Sequence, residues 1–261
     1  MHTEFRGECD YTADLDVHFP ELTVQQTLNF AVQARMPRMP LPGMTRAQQA
    51  TWYREALLAM FGLRSARNTK IGNDLIRGVS GGERKRVSLA EAMSSWSSLH
   101  CYDNSTRGLD SATALTFVRT IRQFANTTGS ATIMTMYQAS DAMYDTFDKV
   151  TLLYQGQQIF FGSCKEARNY FTELGFQCPH NATMPDFLTS LTHPVEARLL
   201  VRQGYDNSVP RTPDEFRQIW LGSQQRNHLF QQIENYEAKF PLNGLHVTRF
   251  RQALSFEKFS L

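Results

Sequence analysis

Apolar residues return at helical spacing in several stretches of the chain, and most of these stretches open on a polar residue suited to cap a helix. Val24, Leu28 and Ala31 share a face behind Thr23, with Gln26 placed as the reciprocal partner of a capping box. Ala50, Tyr53, Leu57 and Phe61 repeat the pattern behind Thr45 and Gln48, up to a stop at Gly62. Leu115, Val118, Ile121 and Phe124 predict an amphipathic helix over 112–124. Ala167, Tyr170, Phe171 and Leu174 predict another over 164–174, closed by Gly175. Thr212, Pro213 and Glu215 begin a last helix, whose apolar residues Phe216, Ile219, Trp220, Leu229, Ile233 and Tyr236 carry it to Phe240. Between 195 and 210 the chain turns polar and loses its period.

Shorter apolar runs read as strands. They lie at 5–11, 99–102 and 131–136, the last apolar enough for a buried parallel strand. Residues 149–154 and 158–161 read as a hairpin around Gly156. Pro37, Pro40 and Pro42 stiffen one loop, and Pro20 ends a polar run that forces another. Alternating strands and helices make this an α/β chain.

Composition narrows the class. Hydrophobic residues make up 41% and charged residues 20%, the balance of a globular protein. Lys plus Arg number 27 against 25 Asp plus Glu, so no electrostatic footprint for nucleic acid is present. The triplet Arg84, Lys85, Arg86 falls within a predicted helix and reads as a solvated face. Cys9, Cys101, Cys164 and Cys178 lack metal-ligand spacing and suit a reducing compartment. No stretch approaches the roughly 20 apolar residues that span a bilayer, and the N-terminus has no signal-peptide core. The Asn-x-Ser/Thr triplets at Asn104, Asn126 and Asn181 carry no weight in a cytosolic domain.

The chemistry concentrates between residues 79 and 113. Ser80 and Glu83 form a third capping box, so a helix begins at Gly81 with its first amides exposed. Gly81 and Gly82 let another molecule approach that backbone closely, and a helix N-terminus attracts phosphate oxygens. The strand over 99–102 ends in Asp103 and Asn104. A carboxylate at that end of a parallel strand can hold magnesium directly or through water. Asp110 and Ser111 then start another helix.

The strings Arg-Gly-Val-Ser-Gly-Gly-Glu-Arg-Lys-Arg-Val-Ser and Asp-Asn-Ser-Thr-Arg-Gly-Leu-Asp-Ser-Ala-Thr resemble the signature loop, Walker B strand and D-loop of ATP-binding cassette (ABC) proteins. They are most similar to the first nucleotide-binding domain of fungal pleiotropic drug resistance transporters, in the G subfamily. The resemblance implies an incomplete P-loop NTPase (RecA-like) core with a helical subdomain. Its parts would be a Q-loop strand and loop at 1–21, a helical subdomain ending in the signature helix at 22–95, a core remnant at 96–195, and a linker with a connecting helix at 196–261. It implies ATP and Mg2+ as cofactors of an intact efflux transporter, with neither held tightly by this chain alone. The partners it implies are a second nucleotide-binding domain and the transmembrane domains. The location it implies is the cytoplasmic face of the plasma membrane, as part of a full transporter.

Within that resemblance, Ser80, Gly81, Gly82, Glu83 and Asp110 are the nucleotide-binding positions, and Asp103 and Asp14 the metal positions. Three catalytic positions depart from the usual pattern. Asp14 stands where a glutamine is common, though a capped turn would equally explain it. Asn104 stands at the general base and cannot take a proton, and Tyr137 stands at the switch histidine. Only thirteen residues precede Asp14, so the Walker A loop is absent. The phosphate-loop strand is expected beside the Walker B strand, which would leave an unpaired edge and poor solubility. Two readings follow: a domain fragment that gives its signature loop to an ATP site in trans, or a non-enzymatic remnant without ATP binding. A soluble ABC ATPase of translation or DNA repair fits the charge and these strings less well.

Overall fold

A computed structural model describes residues 7–36, 40–95, 97–242 and 244–258. It divides into two units, Met1–Tyr137 and Gln138–Leu261.

The first unit runs β1 (Cys9–Thr12), α1 (Val24–Arg35), α2 (Arg46–Met60), α3 (Gly81–Met93), β2 (Leu99–Tyr102), α4 (Ser111–Thr128) and β3 (Ala131–Met134). The capping boxes expected at Thr23, Thr45 and Ser80 all form with both of their hydrogen bonds, which is why these three helices begin where the sequence says. Asp110 caps α4 by accepting from the Ala112 and Thr113 amides, and Gly129 ends it in the left-handed conformation. Leu28, Leu57, Leu58, Val87, Leu89 and Phe117 meet in one core, with Tyr102 edge-on to Phe117 at 5.7 Å.

The three strands are parallel in the order β1, β2, β3. This corrects the expected gap beside the Walker B strand: β2 is hydrogen-bonded on both sides, and the free edges belong to β1 and β3. It also corrects the buried strand at 131–136. β3 ends at Met134 and, as an edge strand, leaves Ile133 60% exposed on a sheet face that none of the described residues of this unit covers. The predicted strand at 5–11 starts at Cys9. Its first two residues, like Pro37 of the proline loop, lie outside the described residues.

The second unit comprises α5 (Asp141–Tyr144), β4 (Lys149–Tyr154), β5 (Gln157–Ser163), α6 (Cys164–Glu173), α7 (Met184–Ser190), α8 (Pro194–Leu199), α9 (Pro213–Leu221), α10 (Gln224–Lys239) and α11 (Leu245–Lys258). β4 and β5 pair through a two-residue turn in which Gln155 and Gly156 both take positive φ, matching the right-handed twist of the strands. Phe160 sits at the centre of this core, with ring centroids of Tyr170, Trp220 and Phe171 at 5.1, 5.3 and 5.8 Å.

Two expectations change here. The polar stretch at 195–210 contains the short helix α8, started by Pro194. The single helix expected from Pro213 to Phe240 is broken in two. Gly222 ends α9, and Ser223 caps α10 by accepting from the Arg226 amide while donating to the Trp220 carbonyl.

Candidate functional site

The first turn of α3 is closed on itself. The Ser80 amide and hydroxyl donate to Glu83 Oε2 at 2.8 and 2.9 Å, and Ser80 Oγ accepts from the Glu83 amide at 3.3 Å. The Ser80 amide and hydroxyl hold the Glu83 carboxyl below its ordinary range. A Cβ built on Gly81 or Gly82 would meet nothing within 4 Å. Neither glycine carries a side chain that would crowd an approaching molecule, and among the described residues no packing asks for either.

The loop feeding this turn is pinched. A Cβ on Gly78 would lie 2.2 Å from the Ile71 carbonyl oxygen, and Gly72 takes a φ of +72°. Asn73 Oδ1 accepts from the Leu75 and Ile76 amides and completes the loop. These contacts set the direction in which Val79 and Ser80 enter α3.

Asp103 follows β2, half-exposed. Its two carboxylate oxygens accept from Thr135 Oγ1 and the Tyr11 hydroxyl, each at 2.8 Å. Thr135, then Tyr11, hold its pKa below the ordinary value, and the Tyr11 hydroxyl is pushed up by the same bond. Thr135 Oγ1 also accepts from the Asn104 amide at 2.8 Å. Asn104 has a φ of +48°, a conformation that asparagine tolerates better than most residues. Thr135 thus ties Asp103 and Asn104 to the end of β3. Asp14 pairs with Arg107 at 3.1 Å, and the Arg107 amide donates to the Asn104 carbonyl. Tyr137 is exposed and Asp110 is occupied as a helix cap, so neither joins this cluster.

A magnesium ion suits part of this arrangement. Among the described residues no three His, Cys, Asp or Glu side chains gather. Magnesium, however, is held by one or two carboxylates, with phosphate oxygens and waters completing six ligands. Asp103 offers one such carboxylate, each oxygen of which keeps a lone pair beyond its bond to Tyr11 or Thr135.

The segment joining Asp14 to α1 inverts the usual alternation. Leu15, Val17 and Phe19 are 80%, 84% and 73% exposed, while the polar residues between them are tied to the body of the unit. Lys85, only 4% exposed, donates to the Asp14 carbonyl at 2.9 Å and pairs with Asp16 at 3.5 Å. Ser88 Oγ donates to Asp16 at 2.6 Å and lies 2.8 Å from His18 Nε2, and His18 Nδ1 lies 2.9 Å from a Glu91 carboxylate oxygen. Lys85, the middle residue of the basic triplet, is therefore buried and not part of a solvated face, while Arg84 and Arg86 are half-exposed. The signal was available: Lys85 shares a helical face with Leu89, Ala92 and Met93, all buried. Tyr11, Thr135 and Arg107 had no comparable signal, because only the sheet register and the turn after Asn104 bring them to their partners.

The pattern of the ABC transporter family matches residues 1–107, and that of ABC-2 type transporters matches 137–204. The chain is 52% identical over 253 residues to the ABC-type transporter eriD of Hericium erinaceus, which covers 97% of this chain and 17% of that protein. It is 52% identical over 258 residues to the ABC multidrug transporter atrH of Aspergillus oryzae, covering 99% of this chain and 17% of the relative. The ABC multidrug transporter C of Aspergillus fumigatus gives 52% over 250 residues, with 96% and 17% covered. The chain thus spans about 17% of the length of these relatives. Among the described residues no helix is long and apolar enough to cross a membrane.

Proposed function

Because the chain belongs to the ABC transporter family, we propose that it is the part of a drug-exporting nucleotide-binding domain that lends Ser80, Gly81, Gly82 and Glu83 to an ATP held by a second such domain. The observation that carries this reading is the open approach to Gly81 and Gly82. Among the described residues glycine there serves no internal contact, so its use lies with something that comes close from outside. Helix-terminal amides then meet the phosphates of the visiting nucleotide.

The second half of the site plays a different part. Asp103 is the carboxylate that would hold Mg2+, oriented by Tyr11 and Thr135. Asn104 has no basic group to take a proton from water, and general-base catalysis is worth roughly 10²- to 10⁴-fold. Asp14, paired with Arg107, and Tyr137, exposed, fit a composite site that holds nucleotide without hydrolysing it. Leu15, Val17 and Phe19 supply an apolar surface for the transmembrane domains, held outward by the bonds of Asp16 and His18.

The test is a ranking in a full-length transporter carrying this sequence. Gly82→Asp, which puts bulk and negative charge where the phosphates approach, and Ser80→Ala, which removes a donor, are each expected to lower ATPase activity by about a hundredfold. Asn104→Ala is expected to change it less than about twofold. The reverse ranking overturns the proposal. The purified chain alone is expected to show no saturable ATP binding at micromolar concentration, and clear binding would show that it holds a nucleotide site of its own.

A further inference from the structure

The face of the β1–β2–β3 sheet that the described residues leave exposed carries two thiols that the reading above does not use. The parallel register sets Cys9 opposite Leu99 and Tyr11 opposite Cys101. Odd-numbered residues of both strands point to the same side, so Cys9 and Cys101 are diagonal neighbours on one surface. Both are free; Cys9 is exposed and Cys101 half-exposed. Burial raises the pKa of Cys101 first, and the neighbouring Cys9 adds to the rise.

We propose that Cys9 and Cys101 form a two-thiol site that binds a trivalent arsenical and so clips β1 to β2. The backbone argues for a bridging atom over a disulfide. Two residues along a parallel strand (about 6.6 Å) and one strand across (about 4.8 Å) put their Cα atoms roughly 8 Å apart, beyond the roughly 6.8 Å within which a disulfide closes without moving the chain. An atom bonded to both sulfurs at about 2.3 Å, the length of a zinc–thiolate bond, spans nearly 4 Å between them and leaves the strands in place.

The ligand supply then selects the element. Zinc asks for four ligands, and among the described residues no third His, Cys, Asp or Glu joins the pair. The nearest carboxylate along this face, Asp103, already accepts from Tyr11 and Thr135. A trivalent organoarsenical needs two sulfurs only. With phenylarsine oxide, two As–S bonds form, the arsenic–oxygen bond breaks, and the oxygen leaves as water with both thiol protons; arsenic keeps its oxidation state.

The purified chain is treated with one equivalent of phenylarsine oxide and weighed intact by mass spectrometry, then digested. One phenylarsenic per chain, with loss of water, is expected, in a peptide pair containing Cys9 and Cys101. The doubly bonded adduct disappears in Cys9→Ser and in Cys101→Ser and persists in Cys164→Ser/Cys178→Ser. Dithiothreitol removes it, whereas an equal amount of a monothiol does not. Cys9 is at the surface, so Cys9→Ser is expected to keep the far-ultraviolet circular dichroism of the parent, and protection of Cys9 from alkylation by the arsenical gives a second readout in the unmodified sequence. An adduct that survives Cys9→Ser with both bonds, one that retains its hydroxyl in the parent chain, or one that maps to Cys164 and Cys178 overturns the proposal.

Discussion

Replacing Lys85 by methionine tests whether a buried cation holds the outward-facing segment in place. The substitution keeps an unbranched stem of the same length, with sulfur in place of one methylene, and removes the ammonium group. At 3.5 Å from Asp16, the ion pair is worth about 5 kcal/mol in gross Coulomb energy at an effective dielectric near 20. Desolvating an ammonium that is 4% exposed takes back several kcal/mol of that. What remains is close to the worth of a charge-assisted hydrogen bond, here the 2.9 Å bond to the Asp14 carbonyl, or about 2–3 kcal/mol. The bonds from Ser88 to Asp16 and His18 stay in place, so the segment detaches more often without being released. Cleavage by chymotrypsin after Leu15 requires such detachment and follows the open population when closing is fast. A change of 2–3 kcal/mol speeds cleavage by about 30- to 150-fold. Lys85→Met and Asp16→Asn together should fall short of additivity by about 1 kcal/mol or more. Cleavage within twofold of the parent, or full additivity, would show that Lys85 is a passenger in the core.

Thr135→Val removes the larger of the two effects on Asp103, so the Asp103 carboxyl should titrate closer to its ordinary value, observed by carbon-detected NMR. The sign follows from linkage: a carboxyl whose folded pKa is depressed adds stability above its unfolded pKa and loses it as pH falls through the folded value. The acid side of the stability profile should therefore flatten below about pH 4 in Thr135→Val. Ser80→Ala removes the cap of α3 and should lower the stability of the first unit by about 1 kcal/mol in urea titration. Phe160→Ala empties the centre of the second core and should cost about 3–5 kcal/mol, seen as a lower thermal midpoint.

The sequence reveals helix starts because a capping box is a local device: Thr23, Thr45, Ser80 and Thr212 each find a partner three residues on, whatever the rest of the chain does. The strand at Leu99–Tyr102 was equally plain, since it is central and short. The break at Gly222 and Ser223 is marked in the sequence by that pair itself and by the nine-residue step from Trp220 to Leu229, which would put them on opposite faces of one continuous helix. Reading the two apolar clusters as one period overlooks that change of phase. Burial of β3 was overestimated for a related reason: an apolar run looks the same whether one or both of its faces are covered. In the site, Ser80, Gly81, Gly82, Asp103 and Asn104 are legible because consecutive residues carry them. The Asp103 partners Tyr11 and Thr135 lie 92 and 32 residues away and become visible only when the strands are in register.

The inverted alternation of the segment after Asp14 separates two properties that most surfaces bind together. Its own fold depends on Asp16 and His18, while Leu15, Val17 and Phe19 contribute nothing inward. Three polar replacements at those outward positions could make the chain easier to keep in solution without loosening the segment. A change at Asp16 would loosen it while leaving the hydropathy of the surface untouched. Selection on what the segment meets, and selection on whether it holds its shape, can therefore act on alternate residues of the same five.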